Sequence, residues 1–185
     1  VRPLFFLAFC FFSQPVLAQN RIEIENGKAY NAVDMKPFLN TLHEQNEYVI
    51  AFRVVLPSTS QGLKSDYFIL TRLGNNVQAF RYKDELKKLS LSDQLLELLW
   101  KNLIQNQLFT MKDEKELSNF CPKKYAIYHS YSYEFTLISK TRMKTLSYYY
   151  PEHYDEVCFG MAERKKIINT VSAIDLLVLK DGLVH

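Results

Sequence analysis

"YSYEFTLISKTRMKTLSYYY", residues 131–150, alternates apolar and polar side chains on both sides of the pair Lys140–Thr141. Alternation of this kind marks strands with one buried face, and two intervening residues suit a tight hairpin turn. The implied register sets Phe135 opposite Leu146, Tyr133 opposite Tyr148 and Tyr131 opposite Tyr150, all on one face. Cross-strand aromatic pairs contribute roughly 0.2–1 kcal/mol each, so most of these tyrosines are read as sheet core. The same register places His129 opposite Glu152 at the hairpin mouth. Tyr128 and Tyr149 fall on the other face and are the tyrosines expected to be exposed.

Working upstream, "YVIAFRVVL" (48–56) is an almost unbroken β-branched and aromatic run, as expected of a strand buried on both faces. Ahead of it Met35, Phe38, Leu39 and Leu42 recur at helical spacing, with Asp34 as the expected N-cap and Pro37 in the tolerated first turn. "DYFILTRL" and "VQAFRYK" flank Gly74-Asn75-Asn76, residues that accept positive φ, and so predict a second hairpin. A helix follows, capped by Ser90 or Ser92 and carrying Leu95, Leu96, Leu99, Trp100, Leu103 and Ile104 on a wide apolar face. A final helix is expected from Met161 to Leu179, with Gly182 beyond its end.

Hairpin-then-helix thus occurs twice. The expected fold class is α+β, an antiparallel sheet of about five strands with helices packed on one face.

Residues 1–18 read as an address label. Arg2 precedes the apolar run "PLFFLAFCFF", which is about half the roughly 20 residues needed to span a bilayer. "VLA" at 16–18 is a signal-peptidase-like exit, so cleavage is expected after Ala18. The mature chain, 19–185, is then one domain with a loose start over 19–32. It carries no membrane span, and its location is periplasmic or extracellular. The absence of any N-x-[ST] sequon fits a bacterial source.

Several function classes are disfavoured by composition. The formal charge is +3 over the whole chain with basic residues scattered, unlike the massed basic face of a nucleic-acid binder. Five glycines, none closely spaced, leave no phosphate-cradling loop. Neither G-x-S-x-G nor H-E-x-x-H occurs, and no cofactor or metal is expected. Cys10 leaves with the signal, and Cys121 and Cys158 stand almost symmetrically about the Lys140–Thr141 turn. In an oxidising compartment these two are expected to form a disulfide across the hairpin mouth.

The expectation is therefore an exported, non-catalytic protein that binds another protein or a surface ligand through an exposed sheet face. Tyr128, Tyr149 and His153 are its candidate contact residues. The alternative is a secreted hydrolase with its site near His129, His153 and the neighbouring Glu152, Asp155 and Glu156. Convergence of those side chains in a concave pocket would favour the enzyme.

Overall fold

A computed structural model describes residues 22–57, 66–117, 127–158 and 161–180, with side chains through Leu176. Its strands are β1 (Lys28–Ala29), β2 (Tyr48–Val55), β3 (Tyr67–Leu73), β4 (Asn76–Tyr82), β5 (Leu86–Lys88), β6 (Ser132–Ser139) and β7 (Arg142–Tyr149). The helices are α1 (Pro37–Gln45), α2 (Asp93–Gln105), α3 (Pro151–Val157) and α4 (Ala162–Lys180). All described strands join one antiparallel sheet in the order β1-β7-β6-β2-β3-β4-β5.

The class is α+β, with seven strands in place of the expected five. The two additional strands are the edges. β1 has two residues and β5 three, all exposed, so neither carries the alternation that betrays a strand in sequence. The segment expected to be loose is tied down from residue 22 onward. Ile24 is buried, the Ile22 amide donates to the Tyr48 hydroxyl at 3.0 Å, and β1 pairs with β7.

The hairpin that opened the sequence reading forms in its expected register. Tyr133 lies opposite Tyr148 and Phe135 opposite Leu146, with Ser139 and Arg142 flanking the turn. Phe135, Leu146 and Tyr148 are fully buried with Tyr133 partly buried against them, whereas the expected Tyr131–Tyr150 pair lies beyond the end of the ladder and is only partly buried. The β3–β4 turn is tighter than the glycine–asparagine run suggested: Leu73 faces Asn76, leaving Gly74 and Asn75 as the loop. Gly74 takes φ +58, a left-handed conformation that costs glycine little.

The helices do not all pack on one face. α2 and α4 cover the face bearing Tyr48, Ile50, Phe52, Leu70, Ala79, Phe135, Leu137, Leu146 and Tyr148. α1 covers the other, setting Leu39 and Leu42 against Val49, Ala51, Tyr67, Ile69 and Ile138. Phe38 adds a stacked contact to Tyr82 at 3.8 Å. The reason lies in β2: its first five residues are buried on alternate faces, and the second face needed its own cover.

The start of α2 follows the expected local chemistry. Ser92 caps α2, its hydroxyl accepting from the Leu95 amide at 3.4 Å. α1 begins two residues later than Asp34 suggested, with Pro37 at its first position and Lys36 as cap. Asp34 lies in a short 3-10 turn and pairs with Lys28 at 2.8 Å. Among the described residues no helix is long and apolar enough to cross a membrane. The expected signal segment, Cys121 and Gly182 lie outside the described residues.

Candidate functional site

The mouth of the β6–β7 hairpin gathers the residues singled out in sequence. The ladder ends at Ser132–Tyr149, because the chain turns sharply at Tyr150. Tyr150 has φ +39 and ψ +58, left-handed values that a tyrosine before proline adopts only under constraint. Pro151 then opens α3, a helix for which the sequence carries no clear periodic signal. One hydrogen bond, Tyr150 amide to the Tyr131 carbonyl at 2.9 Å, holds the junction.

This turn redirects Glu152. Instead of facing His129, its carboxylate accepts from the Tyr131 hydroxyl at 2.8 Å and the Tyr133 hydroxyl at 2.7 Å. Burial, followed by contact with Glu152, raises both phenols, that of Tyr131 to about 12. They therefore remain protonated donors at neutral pH, and each oxygen of Glu152 is engaged by a phenol. His153 stacks on Tyr150 at 5.5 Å between ring centres and meets Tyr154 edge-on at 5.2 Å. Among the described residues, no three His, Cys, Asp or Glu side chains are grouped to hold a metal ion.

Tyr128 lies in the loop ahead of β6 rather than on the sheet. It is 78% exposed. The loop beneath it is braced by two other tyrosines. The Tyr149 hydroxyl donates to the Ile127 carbonyl at 3.1 Å and accepts from the Ser130 amide at 3.0 Å. The Tyr154 hydroxyl accepts from the Ile127 amide at 3.4 Å. His129, within the same loop, has φ +63. Tyr149 is thus a brace for the loop, Tyr128 its exposed tip, and His153 sits beside the second brace. At the same end of the sheet Val54 on β2 and Leu56 just beyond it are exposed, Val54 lying opposite Tyr133.

Behind this surface runs a buried polar seam that the sequence reading missed. Arg164 on α4 is 1% exposed, with its guanidinium over the Tyr154 ring and donating to Glu114 at 3.3 Å and to the Tyr154 carbonyl at 3.3 Å. Glu114 also accepts from the Tyr149 amide at 2.8 Å, and Asp113 from the Ser147 amide at 2.7 Å. The outer edge of β7 beyond β1 is therefore met here by side-chain carboxylates. Lys144 is buried too, its ammonium held by the carbonyls of Glu25 at 3.0 Å and Met111 at 2.5 Å. Burial lowers its pKa. A sequence signal for Lys144 existed: it shares the alternation of Leu146 and Tyr148 and so points to the core. Arg164 sits in a charged run, "ERKK", and no spacing rule separates it from its solvated neighbours.

Compared with known proteins, the chain matches no family model, no curated protein and no solved structure.

Proposed function

We propose that this is an exported, non-catalytic protein that binds a protein partner through the hairpin-mouth surface around Tyr128. The observation that carries the reading is an exposed phenol on a loop held in place by two other tyrosines. Aromatic anchors presented on ordered loops lose little conformational entropy on binding, which is why tyrosine recurs among interface hot spots. Tyr149 and His153 enter this reading as supports and neighbours of Tyr128. The hydrolase alternative receives less support, because Glu152 is engaged by Tyr131 and Tyr133 and His153 is packed between Tyr150 and Tyr154.

The test is capture from native extract with the mature protein, run beside a hydrolase substrate panel. Tyr128→Ala should weaken recovery of a stoichiometric partner by about 30-fold, the equivalent of a hot-spot loss of about 2 kcal/mol. Its stability should change by no more than about 0.5 kcal/mol, as for an exposed substitution. Turnover of a panel substrate, or a partner retained equally by the variant, overturns the proposal.

Export and the Cys121–Cys158 clamp belong to the same proposal. Support for the clamp comes from the place of Cys158, which closes α3 beside the hairpin mouth. In the chain-entropy model a bridge from Cys121 closes a loop worth about 4 kcal/mol, and it would fix the end of α3 near the tyrosine-braced loop. Intact mass without reductant should show a chain starting at Gln19 and two hydrogens lighter than the dithiol form. An N-terminus before Gln19, or two thiols that label freely, contradicts export or the clamp respectively.

A further inference from the structure

The opposite end of the sheet, away from Tyr128, carries a cleft of about 920 Å³, within the usual range of small-molecule sites. One wall is a face of α2: Glu97, Trp100, Lys101, Ile104 and Gln105, spaced so that they share one side of the helix. The other walls are the start of β2 at Glu47 and Tyr48 and the two hairpin turns, at Gly74–Asn75 and Ser139–Lys140. Ile22 closes one side.

The lining divides by chemistry. Tyr48, Trp100, Ile104 and Ile22 form an apolar floor. The two carboxylates are already engaged, Glu97 by Arg72 at 3.6 Å and Glu47 by the Gly74 amide at 3.2 Å. Arg72 is held in turn by the Gly74 carbonyl at 2.8 Å and lies 5.3 Å over the Trp100 ring. Lys140 donates to the carbonyls of His43 and Glu44 at the end of α1, at 3.2 and 3.3 Å, so its positive charge meets only neutral acceptors there. Lys101 stands exposed on the α2 wall. Three cations against two carboxylates leave the lining net positive beside an apolar floor.

We infer that this cleft binds an organic monoanion with an apolar body, its hydrocarbon against Ile22 and Ile104 above the nearly enclosed rings of Tyr48 and Trp100, and its carboxylate toward Lys101 and Lys140. The site is separate from the Tyr128 surface, and its test does not depend on that reading. Trp100 is the sole tryptophan and forms part of the wall, so the protein reports its own occupancy.

The experiment is a titration of the mature chain with laurate below its micelle-forming concentration, followed by Trp100 emission, with dodecanol as the uncharged counterpart. Laurate should give a saturable one-to-one change and bind more tightly than dodecanol. Lys101→Glu, on an exposed residue at the rim, should weaken laurate about ten-fold and leave dodecanol unchanged, in line with reversing one rim charge. Ile104→Asp, also at an exposed position, should weaken both. A linear, non-saturating response, or laurate binding indifferent to Lys101→Glu, overturns the inference.

Discussion

Glu114→Ala is expected to destabilise the protein by about 3–5 kcal/mol, the range for removing one partner of a buried ion pair. Arg164 is almost wholly enclosed, so its charge cannot return to water without opening the seam between α3 and α4. Removing Glu114 leaves it with the Tyr154 carbonyl and ring as its named contacts, and it also strips the acceptor from the Tyr149 amide. The second loss reaches the Tyr128 loop, because Tyr149 carries the hydroxyl that braces it. Urea unfolding should therefore show a lower midpoint at an unchanged slope. Glu114→Gln, which keeps an acceptor for the amide but not the charge, should fall between wild type and alanine. A loss below about 1 kcal/mol for Glu114→Ala would mean that Arg164 reaches solvent, contrary to the packing described.

Trp100→Ala should cost a similar 3–5 kcal/mol through a different mechanism, the cavity left by a large core aromatic. The indole is 2% exposed and packs within 6.1 Å of the Tyr48 ring and 5.8 Å of Phe109, measured between centres. Those two rings are 5.9 Å apart, so the three close on one another and cannot collapse into the space without moving β2. Trp100→Phe preserves most of the volume and should lose less than about 1.5 kcal/mol. Wild-type emission should be that of a buried indole, shifting red only on unfolding. A native spectrum already water-exposed would contradict the packing.

What could be read from the chain divides along physical lines. The β6–β7 register was legible because a two-residue turn and strict alternation leave one pairing that buries Phe135, Leu146 and Tyr148 together. The double burial of β2 was equally plain in "YVIAFRVVL". The side on which α1 packs was not, since an amphipathic stripe says that a face is covered but not by which layer. Short edges such as β1 and β5 carry no periodic signal. α3 was hidden by its composition, since a proline, a histidine and acids read as a turn until Tyr150 reverses the chain. At the site, Tyr128 is exposed on a loop and not on the sheet face the alternation suggested, and Tyr149, expected to be exposed with it, is half-buried, because the bracing roles of Tyr149 and Tyr154 depend on contacts across the hairpin mouth.

The place of β2 has a consequence for how the chain is made. Its partner on one side, β3, follows directly, but β6 arrives much later: Arg53 meets Glu134 across 81 positions. A nascent chain that has emerged as far as α2 holds an apolar strand with one edge paired and the other open. Neither layer is complete at that stage, because Ile138 is missing from one and Phe135, Leu137, Leu146 and Tyr148 from the other. Contacts of such long sequence separation slow folding and prolong the exposure of that edge. The first two thirds of the polypeptide therefore wait for the last third, and a ribosome that stops before β6 releases a product whose central strand is bare along one side.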